Sequence, residues 1–176
     1  RKIFFLLFIT IFTTIMFAQE KHAITVEDLW NMKRIGQVVL SPDGKTLAFE
    51  VTTYNMDENK GNTTIYLCDS TGANLRELKN EHADKSEPCF NLTTKSIFYI
   101  HDDQLWECSL DGSSTTKITD FYSGVSGVVW SPTGKQLLFV SSVYPDCSTQ
   151  ECNKAKDEAE AKTVVKAKIF TELMYR

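Results

Sequence analysis

Val38 to Glu50 reads VVLSPDGKTLAFE. An apolar run meets a four-residue turn, Ser41-Pro42-Asp43-Gly44, and a second apolar run follows. Pro at the second turn position and Gly at the fourth suit a tight reversal, so the stretch reads as a hairpin. The chain writes it again at Val128 to Val140, VVWSPTGKQLLFV. A worn version, PCFNLTTKSIFYI, stands at Pro88 to Ile100, where the turn has lost its Pro and Gly. Lys45, Lys95 and Lys135 align across the copies, as do Phe49, Tyr99 and Phe139.

Working outward, each hairpin leads into two further strands. The first repeat, Gly36 to Asn80, predicts strands at Val38 to Leu40, Thr46 to Thr53, Thr64 to Asp69 and Leu75 to Leu78. The polar stretch Asn55 to Thr63 reads as a loop. The second repeat, Glu81 to Asp120, predicts strands at Cys89 to Leu92, Ser96 to His101, Gln104 to Ser109 and Thr115 to Thr119. Tyr66 matches Trp106, Cys68 matches Cys108 and Gly72 matches Gly112. A third copy opens at Ser126 and reaches Val143. Four short strands per repeat of about 40–50 residues is the pattern of a β-propeller blade. A sandwich need not repeat its turns in register, and a solenoid would show helical periodicity or shorter repeats.

The expected fold is therefore all-β: a partial β-propeller of two full blades (36–80 and 81–120) and part of a third (121–176). A closed propeller uses about four to eight blades, so a segment of a larger propeller is expected. Before the first blade, 19–35 is expected to form a lead-in segment with a short helix over Ile24 to Ile35. Thr25 followed by Glu27 and Asp28 suits a helix start, because acidic side chains favour the positive end of the helix dipole. Lys154 to Lys162, KAKDEAEAK, is charged and rich in helix formers, and reads either as an exposed helical turn inserted in the blade or as a mobile loop. Lys166 to Arg176 turns apolar again and is expected to resume a strand.

Residues 1–18 have the layout of a secretory signal peptide: basic Arg1 and Lys2, an apolar run from Ile3 to Phe17, and a cleavage point after Ala18. A membrane anchor is the competing reading. The run is shorter than the ~20 residues a spanning helix needs, and threonines dilute it. The chain is expected to be periplasmic or secreted, with no stable membrane anchor. Its 176 residues carry a net charge of -4, with 42% apolar and 24% charged residues, so there is no basic excess and nucleic acid is not an expected partner.

Export lets disulfides persist. Of five cysteines, Cys147 and Cys152 enclose four residues of a polar loop, and a local disulfide is expected there. Cys68 and Cys108, at matching repeat positions, read as small buried strand residues. A zinc site at Cys147 and Cys152 lacks a second ligand pair at suitable spacing, so no metal and no cofactor is expected.

No catalytic residue is assigned. Ser41 and Ser131 recur as turn residues. Gly124-Val125-Ser126-Gly127 approaches a nucleophile elbow, but Val128 stands where G-x-S-x-G needs its second Gly. His22, His82 and His101 fall in a polar stub, a loop and a strand end, with no Ser and acid placed beside them. Trp30, Trp106, Trp130, Tyr66, Tyr99 and Phe139 read as packing residues. Asn62-Thr63-Thr64 and Asn91-Leu92-Thr93 are glycosylation triplets of the kind that arise by chance.

TVEDLWNMKRIGQVVLSPDGKTLAFEVTTY (25–54), SPTGKQLLFVSSVYPDC (131–147) and IFTELMYR (169–176) together resemble the N-terminal half of prolyl-oligopeptidase-family serine peptidases. The exported branch similar to dipeptidyl peptidase V and acylaminoacyl peptidase resembles them best. That resemblance implies a propeller standing over a C-terminal α/β-hydrolase domain with a Ser-Asp-His triad outside these residues. The propeller would gate access of short peptide substrates. A non-enzymatic periplasmic propeller of the Tol-associated kind, acting as a protein-interaction scaffold, shares the SPDGK turns but fits the DLW-x-M-K-R-I-G lead-in and the cysteine loop less well.

Overall fold

A computed structural model describes residues 22–93, 95–131 and 133–164. The expected signal peptide and the expected strand at Lys166 to Arg176 lie outside the described residues. Met32 onward forms one compact unit, and the residues before it belong to a separate unit. The latter holds α1, Val26–Asn31. Thr25 starts it: its hydroxyl accepts the Asp28 N–H at 3.2 Å, and the Asp28 carboxylate accepts the Thr25 N–H at 2.8 Å. This reciprocal cap satisfies two donors that a helix end leaves unpaired.

The larger unit is built from antiparallel sheets. The first runs in the order β1 (Arg34–Leu40), β2 (Thr46–Asn55), β3 (Lys60–Asp69) and β4 (Arg76–Glu77). The second repeats it with β5 (Ser86–Phe90), β6 (Ser96–His101), β7 (Gln104–Ser109) and β8 (Thr115–Lys117). β9 (Ser126–Trp130) and β10 (Leu137–Val140) pair as the start of a third. The fold is all-β apart from α1 and α2 (Gln150–Lys162), and it is a partial propeller with two full blades and part of a third.

Several boundaries differ from the sequence reading. The helix stops at Asn31, because Arg34 and Ile35 already pair with Thr52 and Val51 of β2. Asn55 to Thr63 is no loop. β2 and β3 stay in register out to the Asn55–Lys60 pair, and a tight turn of four residues joins them. The Asn55 side chain caps that turn by accepting the Asp57 and Glu58 N–H groups at 3.0 and 3.3 Å. Polar strand residues looked like a loop because this end of the hairpin faces water. The first strand of the second blade is Ser86–Phe90 rather than Cys89 to Leu92, since Asn91 and Leu92 turn the chain. The charged run is a full helix, α2, from Gln150.

The repeat explains the turns. Ser41 N–H donates to Thr46 O at 2.8 Å and Gly44 N–H to Ser41 O at 2.9 Å. Ser131 does the same with Gln136 and Gly134 at 2.8 and 2.9 Å. In the worn copy Asn91 N–H donates to Ser96 O at 3.0 Å, and the Asn91 carboxamide oxygen accepts the Thr93 N–H at 2.9 Å. One short polar side chain thus replaces the lost Pro and Gly by bonding its own turn.

Each blade has two packing faces, because residues paired across antiparallel strands point the same way. Ala48, Ile65, Leu67 and Leu78 of the first blade pack on Phe90, Ile97, Tyr99 and Cys108 of the second. Phe98, Ile100 and Leu105, on the second blade's far face, pack on Val125 and Val128 with Trp130, Leu137 and Phe139 beside them. Burying such apolar area at roughly 25 cal/mol per Å² is the main force holding blade to blade.

Candidate functional site

The first strands of the blades come together: β5 lies against both β1 and β9. Each breaks register at one place, between Ile35 and Val38, between Ser86 and Cys89, and opposite Leu138 and Val140. A bulge leaves backbone N–H groups without ladder partners. Carboxylates take them. Glu50, on β2, accepts the Gln37 N–H with one oxygen at 3.0 Å and the Glu87 N–H with the other at 2.6 Å. Glu87 in turn accepts the Gly127 N–H at 2.6 Å. Two acids therefore tie three successive bulges. Glu87 stands at φ 53 and Gly127 at φ 62, both in the left-handed region. Charge-assisted bonds of this kind are about twice as strong as neutral ones. Through these bonds the two acids hold the first strands of neighbouring blades in fixed relation.

A second constellation lies where the first blade hands over to the second. His82, in the linking segment, stacks on His101 at the end of β6, 3.9 Å between ring centroids. Trp106 of β7 meets His82 edge-on at 4.3 Å. His82 Nδ1 is 2.7 Å from the Tyr99 hydroxyl, which also accepts the Asn80 side-chain N–H at 2.9 Å. His101 Nδ1 donates to Asp84 O at 2.7 Å. Lys85 is buried, and its ammonium donates to His82 O. Burial lowers the Lys85 pKa, partly offset by Glu77 and Asp84. The Tyr99 phenol is pushed up to about 12, chiefly by burial. Sequence reading placed the two histidines separately; only the fold stacks them.

The third constellation is the insert after β10. Cys147 and Cys152 are disulfide-bonded, while Cys68, Cys89 and Cys108 are free thiols. Cys68 and Cys108 are buried. Thr149 caps α2 by accepting the Cys152 N–H at 3.3 Å. Asn153 is buried, and its carboxamide accepts the Tyr144 N–H at 2.8 Å and donates to Thr149 O at 2.8 Å. The Tyr144 hydroxyl donates to Asp157 at 2.7 Å and Glu160 at 3.0 Å, and those acceptors push its pKa up. Tyr122 N–H donates to Gln150 at 3.0 Å, which ties α2 to the third blade. An open depression of about 380 Å³ lies between Ser123, Ser142, Val143, Tyr144, Asn153 and Asp157.

The serines raised by sequence reading are structural. Ser41 donates to Asp43 at 2.7 Å and accepts the Thr46 N–H at 2.8 Å, both inside its own turn. That hydroxyl is the first cause that lowers the Asp43 pKa. Ser131 accepts the Gln136 N–H at 3.1 Å in the same way. Asn91 is buried and donates its carboxamide N–H to Glu107 at 2.9 Å, so this triplet is a turn rather than a glycan acceptor. Trp106, Trp130, Tyr99 and Phe139 pack between blades, while Tyr66 stacks on Phe49 at 6.0 Å. Among the described residues no three His, Cys, Asp or Glu side chains are arranged to hold a metal.

The blades, their clamped first strands and their docked helical insert define the class: part of a β-propeller. No protein-family model matches the chain. Among curated proteins it is 27% identical over 161 residues to Dipeptidyl-peptidase 5 of Porphyromonas endodontalis, covering 89% of this chain and 22% of that protein. It is 24% identical over 157 residues to Dipeptidyl-peptidase 5 of Porphyromonas gingivalis, covering 87% and 22%. The uncomplexed acylaminoacyl peptidase of Pyrococcus horikoshii shares the fold, with TM-score 0.54, 19% identity, and 68% of this chain and 19% of that one covered. The chain is similar in sequence to these dipeptidyl peptidases and shares its fold with part of acylaminoacyl peptidase structures. It spans about a fifth of the length of the curated relatives it matches, 22% in each case.

Proposed function

We propose that this chain is the propeller portion of an exported serine exopeptidase of the dipeptidyl or acylaminoacyl peptidase kind. In this reading it gates access of short peptides to an α/β-hydrolase domain elsewhere in a longer protein. The observation that carries the reading is the alignment over 89% of this chain with a Dipeptidyl-peptidase 5 of which it spans 22%. The carboxylate clamps support it, because a gate must hold its blades in fixed relation while peptides pass. The hydrolase domain is then the propeller's partner, short peptides are the substrates, and the propeller contributes no nucleophile. Export follows from the layout of residues 1–18, and the mature protein works in the periplasm or outside the cell.

The test is to express the longer reading frame and assay dipeptidyl chromogenic substrates beside a folded protein substrate. The longer protein is expected to cleave the former and spare the latter, and the 176-residue chain alone is expected to give no turnover. Turnover by the chain alone, or a reading frame without a G-x-S-x-G hydrolase domain, overturns the proposal. Export is tested separately, by N-terminal sequencing of the periplasmic product for cleavage after Ala18.

A further inference from the structure

The insert after β10 is held in a different way from the blades. α2 reads QECNKAKDEAEAK from Gln150 to Lys162, without one large apolar side chain. Apolar burial, which joins blade to blade, therefore contributes little to holding this helix, whatever lies over it. Polar bonds hold it instead. Tyr144 runs along one face, its backbone N–H donating to Asn153 and its hydroxyl to Asp157 and Glu160. Lys156 stands over the Tyr144 ring at 5.1 Å and pairs with Asp146. The Tyr122 N–H of the third blade donates to Gln150. Each such bond contributes about 1 kcal/mol net, and an isolated helix of 13 residues is marginal in water. The Cys147–Cys152 bond closes a ring around the start of this helix. Inside the ring lie the cap, Thr149, and Gln150, the residue that receives Tyr122.

We propose that Cys147–Cys152 is a thiol-responsive clasp: reduction by a dithiol frees α2 from the third blade and leaves the two complete blades folded. A thiolate of the dithiol attacks Cys147 Sγ, the Cys147–Cys152 bond breaks, and Cys152 leaves as a thiolate. Cys152 lies in the first turn of α2, where the helix dipole favours a negative sulfur. The second thiol of the reagent then displaces Cys147 from the mixed disulfide. The dithiol becomes a disulfide, two electrons pass to the protein, and both cysteines end as thiols. Ser148, Thr149, Gln150 and Glu151 fill the ring, so it is polar throughout. The change is local, because the Thr149 cap and the Gln150–Tyr122 bond both lie at the start of α2. The two complete blades rest instead on apolar clusters, with Ile65 and Ile97 in one and Leu105 in the other. With the ring open, the depression of about 380 Å³ between Ser123, Ser142, Tyr144 and Asn153 loses its helical side. None of this depends on the peptidase reading.

Hydrogen–deuterium exchange tests it, read peptide by peptide on the protein expressed from the longer reading frame, at about pH 7.5 with and without about 5 mM dithiothreitol. After reduction the amides of residues 144–163 are expected to exchange about tenfold faster or more, while those of β2, β3, β6 and β7 keep their rates. Oxidised dithiothreitol is expected to restore slow exchange. The double variant Cys147→Ser, Cys152→Ser is expected to show the fast rates without reductant and no response to it. Unchanged exchange over 144–163 once both cysteines label as thiols overturns the proposal, because the polar bonds then hold the helix alone. So does loss of protection in the blades together with the insert, which would make the bond a staple of the whole fold. A bond that dithiothreitol leaves unreduced overturns it as well. A response to dithiothreitol in the double variant would place the effect at Cys68, Cys89 or Cys108 and has the same consequence.

Discussion

His82 and His101 lie ring on ring, 3.9 Å apart and 18° from parallel, across the junction between the first two blades. Two imidazoles at that distance cannot both be protonated without mutual repulsion. The charged groups around His82 are His101, Glu81, Lys85 and Asp102. Burial, then His101, lowers its pKa; Lys85 acts the same way, while Glu81 and Asp102 oppose them.

Stability should therefore depend on pH through this pair. The folded state takes up the His82 proton at lower pH than the unfolded chain does. The contribution is complete above the ordinary value of 6.5 and is lost as pH falls below it. Thermal unfolding between about pH 7.5 and pH 5 should show a larger drop in Tm for wild type than for His101→Gln, which removes the repulsion. Equal drops would count against the pair.

Glu50 holds two N–H groups in two blades, so its loss should be felt at both. Glu50→Ala is expected to cost about 2 kcal/mol in chemical denaturation, and Glu50→Gln, which keeps one acceptor, about half of that. Gly36→Ala should resemble Glu50→Ala, because a Cβ at Gly36 would sit 2.2 Å from the Glu50 carboxylate oxygen. An unchanged midpoint for Glu50→Ala would remove the clamp from the account.

Gly72 and Gly112 occupy the same turn in successive blades, at φ 83 and φ 80. A Cβ at Gly72 meets nothing within 4 Å, whereas at Gly112 it would lie 1.9 Å from Lys79 O. Gly72→Ala is expected to cost about 1 kcal/mol, for the left-handed backbone alone. Gly112→Ala should cost at least about 2 kcal/mol more, since backbone must move. Denaturant titration of the two variants compares them directly.

The disulfide is checked by counting thiols. Under denaturing conditions without reductant three cysteines should label, Cys68, Cys89 and Cys108, and five should label after reduction. Labelling of Cys147 and Cys152 before reduction would contradict the bond.

Much of the fold was legible in the chain because its signals are local. SPDG at Ser41 and SPTG at Ser131 mark turns through residues that bond within their own turn. β6 and β7 fall at Ser96–His101 and Gln104–Ser109, where the repeat puts them. Asn55 to Thr63 misled, because polar residues in a water-facing hairpin resemble a loop, and only the Thr52–Thr63 and Asn55–Lys60 pairings distinguish them. Charge and helix propensity in KAKDEAEAK left helix and loop open; Thr149 and the Cys147–Cys152 bond decide for helix.

The sequence by itself determined the repeat, its turns, and the absence of a catalytic assignment for Ser41 and Ser131, since turn chemistry is written within five or six residues. Only the tertiary structure decided that Glu50 reaches Glu87, that His82 lies on His101, and that Phe90 and Phe98 are buried. Those facts depend on blade stacking against blade, and no local pattern records which neighbour a face will meet.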